Sequence, residues 1–228
     1  MNALELTGRA RSHIVQLDSP RCALHRDVVE PFLALREGAA QEGIDLRPYS
    51  SFRDFDIQLL IWNRKWRGER PLLDREGRPL DYAALSEEQI IDAILSWSAL
   101  PGASRHHWGS EIDVFDAAAV PADYRLQLVA DEYSPTGPFA RLTAWMDANL
   151  RRYGFFRPYD SDRGGVHPEP WHISFAAVSE QALHQLTPAV LAEAVAASDL
   201  LGKQLVLSRI DELHARFVAN VGAFAAMP

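Results

Sequence analysis

Two short segments gather the side chains whose types and spacing could do chemistry. In the first, Ser104-Arg105-His106-His107-Trp108-Gly109-Ser110-Glu111-Ile112-Asp113, an imidazole and a carboxylate stand seven residues apart with a glycine between them. A bend at Gly109 lets a loop-borne His106 approach Asp113 on the strand that follows, where Asp113 points away from Ile112 and Val114. A structural histidine and a capping aspartate would give the same letters, so this segment alone leaves both readings open. The second segment, Glu169-Pro170-Trp171-His172, places a carboxylate three residues before a strand-borne imidazole. Catalytic zinc typically takes three N and O ligands and keeps a position for water, whose proton passes to a nearby acid that is not a ligand. His106, Asp113 and His172, with Glu169 as that acid, make up such a set. His107 and His167 are rival imidazoles; the three-ligand pattern assigns neither to the metal, and His107 is expected to point away from His106. Ser104 is placed to hydrogen-bond the site or a substrate carboxylate. Trp108 and Trp171 flank ligands and are expected to wall the cleft.

These residues need strands and turns to bring them together. Ile112-Asp113-Val114-Phe115 and Trp171-His172-Ile173-Ser174-Phe175 are short, β-rich and roughly alternating, so each reads as a strand of a small sheet. A third strand, Ile44 to Tyr49, delivers Ser50-Ser51-Phe52-Arg53 to its end. Leu24, Val28, Phe32 and Leu35 recur at helical spacing, and residues 54–66 read as helix again. The run Gly68 to Asp81 is rich in Gly, Pro and charge and suggests a hairpin-like excursion turning near Glu76-Gly77. Ser86 and Gln89 form a capping box for a helix that stops before Pro101-Gly102. A helix is expected from Pro138 to about Tyr153, and a helical tail from Ser179, with starts at Thr187-Pro188 and Asp199.

The residues resemble the VanY and VanX type D-alanyl-D-alanine carboxypeptidases and dipeptidases, zinc peptidases related to the hedgehog N-terminal domain. The signatures SxHxxGxxxD and ExWH stand here as Ser104 to Asp113 and Glu169 to His172. A further serine, aromatic, arginine and downstream glutamine element matches Ser51-Phe52-Arg53 and Gln58. The resemblance implies that His106, Asp113 and His172 ligate Zn2+, that Glu169 is the general base for a zinc-polarised water, and that Arg53 faces the scissile carbonyl. Ser51, Gln58, Ser104, Trp108 and Trp171 are then the expected substrate-binding residues. It also implies an α+β fold, a small, mainly antiparallel sheet bearing the zinc site and packed against helices. Residues 1–228 read as a single peptidase domain, with an insertion at 67–100 and a helical C-terminal tail at 179–228. Such families often carry a small residue where Glu111 stands; this acid is expected to face solvent.

The remaining composition sets bounds. At 228 residues and 47% hydrophobic, the chain can bury a real core. A formal charge of -8 and a pI near 5.5 argue against nucleic acid as a partner, because phosphate neutralisation needs clustered Lys and Arg. No membrane span or export signal is recognised, so a cytoplasmic protein is expected. Cys22 stands alone, which excludes an internal disulfide and reads as a small buried hydrophobe. The expected activity is carboxypeptidase removal of a terminal D-alanine from peptidoglycan-derived peptides. The motifs leave D,D- and L,D-carboxypeptidase open, with a phage-type L-Ala-D-Glu endopeptidase and a non-catalytic zinc-binding module as alternatives.

Overall fold

The computed structural model describes residues 1–224; the last four residues of the helical tail expected over 179–228 lie outside the described residues. The alternating segments become strands. β3 (Leu46–Ser50), β4 (Glu111–Asp116), β5 (Phe155–Phe156) and β6 (His172–Phe175) form one sheet in the order β3-β4-β6-β5, with every neighbouring pair antiparallel. One face of this sheet carries Leu46, Ile112, Val114 and Ile173, each 1% exposed or less. Packed on it are α2 (Val29–Gln41) and α5 (Ala140–Asn149), through Phe32, Leu35, Leu142 and Met146. Each such side chain contributes roughly 1.5–3 kcal/mol by leaving water.

A second core is helical. It gathers α1 (Ala3–Leu6), α3 (Phe55–Trp66), α4 (Glu87–Leu95), α6 (Ala176–Gln185), α7 (Pro188–Ala196), α8 (Lys203–Ser208) and α9 (Ile210–Leu213) around Trp62, Ile91, Ile94, Trp108, Leu191 and Val206. The mixed α and β architecture with a small antiparallel sheet against helices is the one expected. The capping box at Ser86 and Gln89 starts α4, and Thr187 caps α7 with Pro188 in its first turn. Between α3 and α4 the chain makes the expected hairpin-like excursion, with Leu73 bridged to Pro79 and Gly77 in its turn. Cys22 is buried, as expected of a small apolar side chain.

Three local features differ from the sequence expectation. Leu24 belongs to a two-stranded hairpin, β1 (Ile14–Asp18) with β2 (Arg21–His25), and the helix begins only at Val29 after a 3-10 turn over Arg26–Val28. The tail helix starts at Ala176, directly off β6. Finally, α8 starts at Lys203 and not at Asp199, because residues 199–201 are latched to α3. Asn63 binds the Asp199 carbonyl and the Leu201 amide, and the Trp62 indole donates to the Leu201 carbonyl. No helix among the described residues is long and apolar enough to cross a membrane.

Candidate active site

His106 sits on one 3-10 turn, Arg105–Trp108, which Gly109 ends in the left-handed region at φ 67. A Cβ at Gly109 would meet the backbone nitrogen of His25 at 2.6 Å, so only glycine permits this turn into β4. Along β4 and β6 the register pairs Asp113 with His172 and Glu111 with Ser174. The two-residue period puts these four polar groups on the face opposite Ile112, Val114 and Ile173. His106, Asp113 and His172 each offer a ligand atom, all within 4.8 Å of one another. Nε2 of His106 lies 3.4 Å from Asp113 Oδ2, and Nδ1 of His172 lies 3.0 Å from Asp113 Oδ1.

The far nitrogen of each ring is also held. Nδ1 of His106 donates to the Ser51 carbonyl at 2.8 Å, which leaves Nε2 turned toward Asp113. Nε2 of His172 meets Glu111 Oε2 at 2.9 Å. The other oxygen of Glu111 accepts from Ser174 at 2.8 Å, Ser110 at 2.9 Å and Arg105 at 3.2 Å. A metal-binding imidazole characteristically gives its second N–H to a carboxylate or carbonyl in this way. The donor set fits zinc on that ground and on its own chemistry, two imidazoles and one carboxylate, which is the three-ligand set that leaves a fourth coordination position for water.

The electrostatics agree with a site built for a cation. Burial opposes ionisation of Glu111, but Arg105, His172 and Ser174 outweigh it and hold the carboxyl at about 2. Asp113 likewise stays far below the usual range against its burial, through His106 and His172. Burial alone would lower His172, yet hydrogen bonds to Asp113 and Glu111 raise it to about 10. Glu169 differs from both other acids: burial raises it to about 7, with Asp113 adding to the rise while His172, Arg53 and Lys65 oppose it. Its Oε2 stands 3.5 Å from His172 Nδ1. The backbone fixes that position, since the Glu169 amide donates to the Tyr159 carbonyl and the His172 amide to the Glu169 carbonyl.

The site opens into a cavity of about 780 Å³ between the two cores, lined by His106, Asp113, His172, Glu169, Arg53, Ser104 and Trp171 among others. Arg53 is braced by Gln58 Oε1 at 2.9 Å and Ser50 Oγ at 3.3 Å. Tyr159, which no motif marked, adds its ring to the cavity 5.1 Å from that of His172.

Four sequence expectations need correcting. Glu111 does not face solvent; it is fully buried beside Asp113 and holds His172. Trp108 does not wall the cleft, being 0% exposed in the helical core with its indole donating to the Leu6 carbonyl. Gln58 is buried behind Arg53, with its amide nitrogen donating to the Ala99 carbonyl, and is outside the cavity lining. Ser51 is outside it too: its hydroxyl takes the Ala23 amide and its carbonyl takes His106. Both therefore touch the site through Arg53 and His106. The rival imidazoles are committed elsewhere. His107 donates to the Arg53 carbonyl and accepts from the Gly102 amide, and His167 lies against Trp97 at 4.4 Å between ring centres.

Comparison with known proteins gives the same direction. A D-alanyl-D-alanine carboxypeptidase of Enterococcus faecalis is 31% identical over 86 residues, 36% of this chain and 26% of that protein. An uncharacterized protein of Haemophilus influenzae is 46% identical over 98 residues, 42% of this chain and 67% of its own length. In fold, the chain is similar to VanYB in complex with D-alanine-D-alanine, at TM-score 0.51 and 19% identity over 82% of this chain and 89% of that one. It is similar too to the LdcB LD-carboxypeptidase, at TM-score 0.52 and 17% identity, covering 90% of this chain and 78% of that one. A VanY variant from the VanB-type resistance cassette, in complex with Zn(II), aligns at TM-score 0.52 and 21% identity over 82% and 92% of the two chains. The family model for VanY, D-alanyl-D-alanine carboxypeptidase, matches residues 21–178, well over half of the sequence and the whole of the site; the chain belongs to that family of peptidoglycan peptidases.

Proposed function

We propose that this protein is a zinc-dependent carboxypeptidase that removes a terminal D-alanine from peptidoglycan peptides, working as one domain with residues 67–100 as an insertion beside the cavity. The observation that carries the reading is the division of labour among the acids of the site. Asp113 stands between two imidazoles, whereas Glu169 lies at the edge of the trio with its pKa raised to about 7. A ligand should stay ionised and a base should exchange a proton near neutrality.

Zinc held by His106, Asp113 and His172 would polarise the scissile carbonyl and acidify a water molecule. Glu169 takes the proton from the attacking water and later gives it to the departing amine. Arg53, fixed by Gln58 and Ser50, offers its guanidinium to the oxygen on which negative charge develops. Ser104 and Trp171 line the path of the substrate, and Leu72, Leu95 and Leu100 of the helical core add apolar surface to its wall.

The identity of the bond is tested by incubating the zinc-loaded protein with pentapeptide and tetrapeptide muropeptides and weighing the products. Loss of one alanine from the pentapeptide alone assigns D,D-carboxypeptidase activity, and loss from the tetrapeptide alone assigns L,D activity. Cleavage between L-Ala and D-Glu makes it an endopeptidase. A protein that carries zinc and cuts none of them contradicts the peptidase reading and leaves a binding module.

A further inference from the structure

The cavity that holds the ligand trio is also lined by two cations that nothing in the proposed mechanism uses. Lys65 lies in the last turn of α3, on the same inward face as Gln58 and Trp62, where the helical period otherwise places buried side chains. Arg70 follows at the start of the hairpin, and both line the cavity with Arg53 and Glu169. Other cations there have partners: Arg105 has Glu111, Arg75 has Asp162, and Arg53 has Gln58 and Ser50. Among the described residues, the side chains of Lys65 and Arg70 make no hydrogen bond or ion pair. A cation at a helix C-terminus is favourable when it is exposed to water. Lys65 is half-buried, and burial, with Arg70 and Arg53 adding to it, pushes its pKa down to about 8. A long side chain could snorkel outward to escape that cost. Here it is kept facing the cavity, close enough to Glu169 for each to shift the other's ionisation.

The geometry points to Lys65, backed by Arg70 at the cavity mouth, as the subsite for a free carboxylate of the substrate, the terminal carboxylate next to the scissile bond. This inference rests on the peptidase reading and deepens it. Lys65, Arg53 and Glu169 line one cavity, so a carboxylate paired with Lys65 lies in the same space as the bond being cut. The site would thereby select chain ends, which distinguishes a carboxypeptidase from an endopeptidase by a residue outside the zinc motifs.

The test compares each muropeptide that the wild type cuts with the same peptide carrying a C-terminal amide, using wild type, Lys65→Met and Lys65→Arg. A charge-assisted hydrogen bond of ordinary strength predicts that amidation raises the wild-type KM about 10- to 100-fold. Lys65→Met is expected to raise KM for the free acid by a similar factor and so to abolish the preference for acid over amide, with Lys65→Arg restoring much of it. Zinc affinity of all three proteins should agree within about threefold, since Lys65 is not among the ligands. Equal cleavage of acid and amide by the wild type overturns the inference without any variant, as does a Lys65→Met protein that prefers the acid as strongly as wild type. If the wild type cuts neither acid nor amide, it is the peptidase reading that fails.

Discussion

On the sheet side of the cavity, each ligand ring is held from behind: His106 by the Ser51 carbonyl at 2.8 Å and His172 by Glu111 at 2.9 Å. On the helical side, Lys65 and Arg70 line the same space with no side-chain hydrogen bond or ion pair of their own among the described residues, and Glu169 acts on Lys65 only through its charge. The difference separates two kinds of occupant. An ion that stays in place repays a fixed, fully supported donor set, because the cost of orienting it is met once on folding. A substrate that enters and leaves needs cations that stay uncommitted until it arrives.

The largest expected effect falls between these walls. Glu169→Gln should lower kcat by about 100- to 10,000-fold with zinc still bound, a split that steady-state kinetics and metal analysis together would resolve. Arg53→Ala should follow, at about 100- to 1,000-fold in kcat, since it removes one donor from the developing oxyanion. On the sheet side, Glu111→Gln should weaken zinc binding by about 10- to 100-fold, measured by competition with a chelator. Glu111→Ala should also lower the stability of the fold by about 3–5 kcal/mol in chemical denaturation, because Arg105 would be left as an uncompensated buried charge. Unchanged zinc affinity in both variants would remove the contrast between the two walls.

A pH-linked effect comes next in size. His172 holds a proton up to about pH 10 through Asp113 and Glu111, whereas a metal ligand must present a bare Nδ1. Zinc uptake near pH 7 should therefore release about one proton from this ring, and affinity should rise as pH rises. Calorimetry in buffers of different ionisation enthalpy would detect it. The smallest effect is expected at Trp108, where Trp108→Phe should destabilise the helical core by about 1 kcal/mol and leave KM unaltered.

Much of this arrangement was legible in the sequence because it is local. The alternation in residues 112–115 and 171–175 fixes which side chains share a face, and Gly109 between His106 and Asp113 marks the turn that joins them. What escaped depends on partners distant in the chain. Glu111 lies two residues before Asp113, so its side of the strand could be inferred, but an acid there reads as solvent-facing until Arg105, His172 and Ser174 are seen around it. Leu24 fits a helical spacing with Val28 and Phe32, and only pairing with β1 makes it a strand residue. Trp108 flanks a ligand in sequence yet turns into the opposite core, since successive residues of a 3-10 turn point in different directions. Lys65 carries no motif at all; its environment is made by Arg70, Arg53 and Glu169, which come from separate loops.

The central claim, a zinc peptidase whose base is Glu169, is tested most directly by stripping the protein of metal and titrating zinc back while following alanine release from the muropeptide it cuts. The account predicts that wild-type activity rises in proportion to zinc and levels off at about one ion per chain, and that Glu169→Gln binds zinc to the same level with almost no turnover. Full turnover by Glu169→Gln, or wild-type activity indifferent to zinc, would contradict it.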